Sequence, residues 1–80
     1  MNFDEFWRRV SQGGTAPMKG GGIVKYSVIV DNGKEKLKIK SNNSDNDRYY
    51  ILKEKTEQYF NDPDNTNHSW FNSVYRELSK

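Results

Sequence analysis

Asp31-Asn32-Gly33-Lys34 lies between two runs whose apolar residues alternate with polar ones. Asn-Gly is the favoured centre of a two-residue hairpin turn, because both positions need a positive φ. A two-residue turn also sets the pairing. Val30 then faces Glu35, Val28 faces Leu37 and Tyr26 faces Ile39. In the same register Ile29 faces Lys36, Ser27 faces Lys38 and Lys25 faces Lys40. A slip of one residue would turn every side chain to the other face. In this register Tyr26, Val28, Val30, Leu37 and Ile39 share one face and the lysines share the other.

A two-stranded ribbon is marginal in water and needs further strands or a helix against its apolar face. The flanking sequence supplies both. Phe3, Phe6, Trp7 and Val10 fall at i, i+3, i+4 and i+7, which predicts a helix over 3–11. Asn2 is placed to cap it, with Glu5 three residues on, and Gly13-Gly14 is placed to end it. Residues 12–22 hold five of the six glycines and Pro17 and read as a connector. Residues 41–47 read as a polar loop. Tyr49-Tyr50-Ile51-Leu52 has strand composition, although Tyr49, Leu52, Thr56, Tyr59 and Phe60 also fit a helix starting near Ser44. The need for a third strand favours a strand over 48–52, followed by a helix from about 53 to 61 that stops before Pro63. Trp70, Phe71, Val74, Tyr75 and Leu78 predict a last helix over 69–79, with Ser69 as its cap.

The expected fold is therefore α+β, in the order α-β-β-β-α-α. A three-stranded antiparallel sheet carries helices packed on one face, in a single small domain spanning residues 1–80. Leu, Ile, Val and Phe together make only 20% of the chain, which is the border of disorder. Eleven aromatic rings and a net charge of only +2 argue for a packed, aromatic-rich core instead.

Composition removes several functions. With no cysteine, disulfides, thiolate metal sites and thiol nucleophiles are excluded. No apolar run is long enough to span a membrane. Asp4 and Glu5 do not suit a signal peptide, so a cytoplasmic protein is expected. Residues 1–41 hold eight Lys/Arg and four Asp/Glu, whereas 42–80 hold five and seven. That asymmetry either builds a bipolar molecule, which would point to a polyanionic partner, or cancels once the chain folds back on itself.

The lysine face gives the leading functional expectation. Lys36, Lys38 and Lys40 lie about 6–7 Å apart along one strand, and Lys25 joins them across the ribbon. Such a row suits a phosphate backbone, each contact releasing counterions, so Lys25, Lys36, Lys38 and Lys40 are the candidate DNA- or RNA-binding residues. Ser27, Asn42 and Asn43 would add hydrogen bonds, and Tyr50 would add an aromatic ring if it points outward. The bland reading of the same lysines is a solvated sheet face that discourages aggregation. A second functional reading is a protein-interaction or homodimer patch on the terminal helices, anchored by Trp7, Arg8, Trp70 and Tyr75.

Other patterns carry less. Asn43, Asp45, Asp47 and Glu54 match positions 1, 3, 5 and 12 of a calcium loop. However, Arg48 occupies the position that needs Gly, and a strand precedes the loop rather than a helix. The final helix pair has too long a connector and too few basic residues for a helix-turn-helix. Lone His68, with Ser69 beside it and Asp62 or Asp64 near in sequence, is a chance grouping in a polar loop rather than a catalytic set. Gly20-Gly21-Gly22 precedes a strand, whereas phosphate-cradling loops follow one. The expectation is a non-enzymatic binding protein with no cofactor, no metal and no small-molecule substrate. The element order, size and lack of cysteine resemble the layout of small orphan proteins of phages and other mobile elements, some anti-CRISPR inhibitors among them. A DNA-mimic inhibitor would need an acidic face where this chain has a basic one.

Overall fold

The computed structural model describes residues 1–42, 47–62 and 68–80. The chain runs α1 (Phe3–Ser11), β1 (Gly14–Pro17), β2 (Ile23–Asp31), β3 (Lys34–Ser41), β4 (Arg48–Leu52), α2 (Lys53–Phe60) and α3 (Ser69–Leu78). The four strands form one antiparallel sheet in the order β1-β2-β3-β4. Among the described residues the class is α+β with three helices, but the sheet has four strands rather than three.

The additional strand lies inside the stretch read as a connector. Gly13 adopts φ +74° and donates its N–H to the Val10 carbonyl at 3.0 Å, which ends α1 and turns the chain. Gly14–Pro17 then pairs with Tyr26–Ile23. Both ends of this strand are residues that strands usually avoid, and each has a local reason to be there. A Cβ at Gly14 would lie 2.7 Å from the Tyr26 hydroxyl oxygen, so the close approach of β1 to that ring needs glycine. Pro17 is tolerated because β1 is an edge strand. Residues 20–22 form the turn into β2, where the Met18 N–H bonds the Gly22 carbonyl at 3.0 Å.

The β2–β3 hairpin has the register expected from its turn, from Asp31↔Lys34 through Lys25↔Lys40. Asn32 (φ +53°) and Gly33 (φ +75°) both take the left-handed conformation that this turn requires. Helix α1 begins as expected, with the Glu5 N–H donating to the Asn2 side-chain oxygen at 2.8 Å. The Glu5 carboxylate instead accepts from Arg9 at 2.7 Å. At α3 the cap differs from expectation. Ser69 is the first helical residue, and His68 occupies the capping position without a side-chain cap bond.

The helices cover one face of the sheet. The core joins Phe6, Trp7 and Val10 of α1 to Ala16, Val24, Tyr26, Leu37 and Ile39 of the sheet and to Phe71 and Val74 of α3. Phe6 is the hub. Its ring lies 5.3 Å from Phe60, 5.6 Å from Phe71 and 6.1 Å from Tyr75, between centroids. These offset and tilted geometries are the ones aromatic quadrupoles favour. Arg9 ties the chain ends together by donating to the Leu78 carbonyl at 2.7 Å. Burial raises the Tyr26 phenol above its ordinary pKa, and the Glu77 carboxylate adds to the shift. Among the described residues no helix is long and apolar enough to cross a membrane.

Candidate functional site

The sheet's second face is built by strand alternation. Because Leu37 and Ile39 are buried, Lys36, Lys38 and Lys40 point the other way. Cross-strand pairing then sets three rows on that face. The first is Thr15, Lys25, Lys40 and Arg48. The second is Ser27, Lys38 and Tyr50. The third is Ile29, Lys36 and Leu52. The apolar sides of all three helices are turned to the opposite face, so the described helices leave these rows open.

All four sequence-derived lysines therefore share one surface. Lys25 is exposed, while Lys36, Lys38 and Lys40 are half-buried among their neighbours on the central strands. Lys36 is partly neutralised by Asp31, 3.0 Å away. Among the described residues, neither Lys25 nor Lys38 has an ion-pair partner. Adjacent strands are about 4.8 Å apart, so Lys25, Lys40 and Arg48 stand directly side by side.

Two members of the surface were not among the candidate lysines. Arg48 extends the cationic row onto β4, and Tyr50 stands beside Lys38 with half its surface exposed (49%). Tyr50 thus takes the outward position on which its role depended. The alternation within β4 held this information, but residues 42–47 contain no turn signal that fixes its pairing with β3.

The residues of the protein-interaction reading do not form a common exposed patch. Trp7 is only 6% exposed. Its indole N–H donates to Glu35 at 3.1 Å, and Lys53 lies 5.4 Å above its ring while bonding the same carboxylate at 3.3 Å. Tyr75 is half-buried and packs against Phe6, Phe60 and Phe71. Arg8 is exposed on α1. Trp70 is half-buried and meets Tyr49 edge-on at 4.9 Å between centroids.

That Trp70–Tyr49 pair belongs to a groove of about 480 Å³ along the outer edge of β4. Tyr49 and Tyr50 line it from the two faces of the strand, and Tyr59 and His68 line it with their rings stacked at 3.8 Å. Lys55 stands at its wall, 5.9 Å from the Tyr59 ring. His68 is therefore a groove-wall ring. Asp64, considered as its partner, lies outside the described residues, as do Asn43 and Asp45 of the calcium-like spacing. Among the described residues no three His, Cys, Asp or Glu side chains gather as a metal site.

In comparisons with known proteins, no family model, no curated protein and no solved structure matches this chain.

Proposed function

We propose that this chain is a non-enzymatic binding protein that docks the phosphate backbone of nucleic acid on the open face of its sheet. Lys25, Lys36, Lys38, Lys40 and Arg48 would make the phosphate contacts. One observation carries the reading: Lys25, Lys36, Lys38, Lys40 and Arg48 share the face of the sheet that the described helices leave open, with β2 and β3 as its central strands. Lysines that only guard against aggregation belong on edges, where unpaired backbone groups need protection. A polyanion lying across that face meets several cations at once and releases its own counterions.

The test is a titration of labelled oligonucleotides followed by fluorescence anisotropy at several salt concentrations. Affinity is expected to fall linearly on a log–log plot. Replacing Lys25, Lys36, Lys38 and Lys40 by Ser is expected to flatten the slope, by about 0.7 per contact for a single strand and about 0.9 for a duplex. Absence of binding at low salt overturns the reading, as does a slope that the four substitutions leave unchanged.

A further inference from the structure

We infer that the nucleic acid is single-stranded, and that an unpaired base enters the aromatic groove at the β4 edge while the backbone lies on the basic rows. This rests on the phosphate-docking reading above and names its ligand more closely. The basic face and the groove are one continuous surface, since Tyr50 and Leu52 belong to both. Tyr50 therefore offers its ring within one strand spacing of the Lys38 position. Tyr49 and Trp70 line the groove just around the strand edge. The Tyr59–His68 stack forms the wall, with Lys55 beside it.

This pairing of rings with cations suits one chemistry. A flat base stacks on aromatic faces, and its phosphates need cations within reach. Duplex bases are already stacked on each other and show only their edges, so the rings would stay idle against a duplex. Size argues the same way. Four strands span about 14 Å between outer strand axes, broader than the ~12 Å major groove that admits a two-stranded ribbon. The groove volume of about 480 Å³ falls within the ~300–1,000 Å³ range of pockets that enclose small organic ligands. The contacts involve phosphates and base faces, which single-stranded DNA and RNA share.

Three probes separate this inference from the reading it rests on. They are an oligothymidylate of about 12 nucleotides, an abasic oligomer of the same length and a duplex of the same length, a length within the site size of single-strand binders. The oligothymidylate is expected to bind about tenfold or more tightly than either other probe, and to change tryptophan emission in a way that Trp70→Phe removes. Tyr49→Ser and Tyr50→Ser each replace an exposed ring, so the fold is kept, as circular dichroism will check. Each is expected to weaken oligothymidylate binding about tenfold, with abasic binding and the salt slope unchanged. If the abasic oligomer or the duplex binds as tightly as the oligothymidylate, or if both tyrosine variants bind it normally, base capture is overturned while phosphate docking stands. If no probe binds at low salt, both fall.

Discussion

The two faces of this sheet are made from alternate residues of the same strands, yet they obey opposite rules. On the helix side, Val24, Leu37 and Ile39 are fully buried and every neighbour adds to cohesion. On the other side, Lys25, Lys40 and Arg48 stand side by side on neighbouring strands, and no helix among the described residues packs over them. The open face contributes little packing, so its residues are free of the core's demands. A face held by packing is explained by the fold.

The sharpest way to break that division is to change one face and read the other's property. Phe6→Ala empties the hub of the aromatic core and is expected to cost about 3–5 kcal/mol, measured by urea or thermal unfolding. That is a large share of the stability of so small a domain. Replacing Lys25, Lys36, Lys38 and Lys40 together by Ser is expected to leave the melt nearly unchanged while weakening nucleic-acid binding. A quadruple variant that melted like Phe6→Ala would erase the distinction between the faces.

Neighbours on one short strand sharpen it further. In Gly14→Ala the new methyl meets the Tyr26 hydroxyl oxygen at 2.7 Å, and Tyr26 is only 6% exposed. The ring must shift, at a cost of about 1–3 kcal/mol. Thr15→Ala, one residue on and facing the open side, is expected to change stability by no more than about 0.5 kcal/mol. Lys25→Glu then tests the sign on the open face. It reverses one charge at an exposed position, so stability is expected to change by no more than about 0.5 kcal/mol while nucleic-acid binding weakens. A Lys25→Glu variant that binds nucleic acid as tightly as the parent would remove Lys25 from the phosphate contacts.

The smallest effect is on the buried side. The Tyr26 pKa is raised in the folded chain, so its proton is held more tightly there than in the unfolded chain. The stability tied to this group is intact below the ordinary tyrosine pKa of 10.0. It is lost as pH rises above that value, because the unfolded chain then releases the proton first. Unfolding midpoints measured on either side of that pH are expected to drop on the alkaline side, and Tyr26→Phe is expected to reduce the drop.

Legibility followed the range of the interactions. The β2–β3 register was readable because Asn32-Gly33 permits one turn geometry, and both flanking runs alternate in step with it. Helix α1 was readable from Phe3, Phe6, Trp7 and Val10, and its cap from Asn2. Strand β1 was hidden because Gly14 and Pro17 have poor strand propensity by themselves. Their presence in the sheet depends on the Tyr26 ring and on the edge position. The lysines of the candidate site were legible as a group because they lie on the readable hairpin. Arg48 and the outward placement of Tyr50 were not, since the β3–β4 connection has no turn signal to set its pairing.

By itself the sequence determined a hairpin with segregated faces, three amphipathic helices to cover the apolar one, and a cluster of lysines on the other. Each of these follows from φ preferences and periodicities that act over a few residues. Tertiary packing decided that a fourth strand forms, that Trp7 is buried rather than presented, and that Tyr50 and Arg48 stand beside the lysines while Tyr49 and Trp70 make a groove around the corner. Those outcomes depend on which distant side chains meet, and no local preference specifies that.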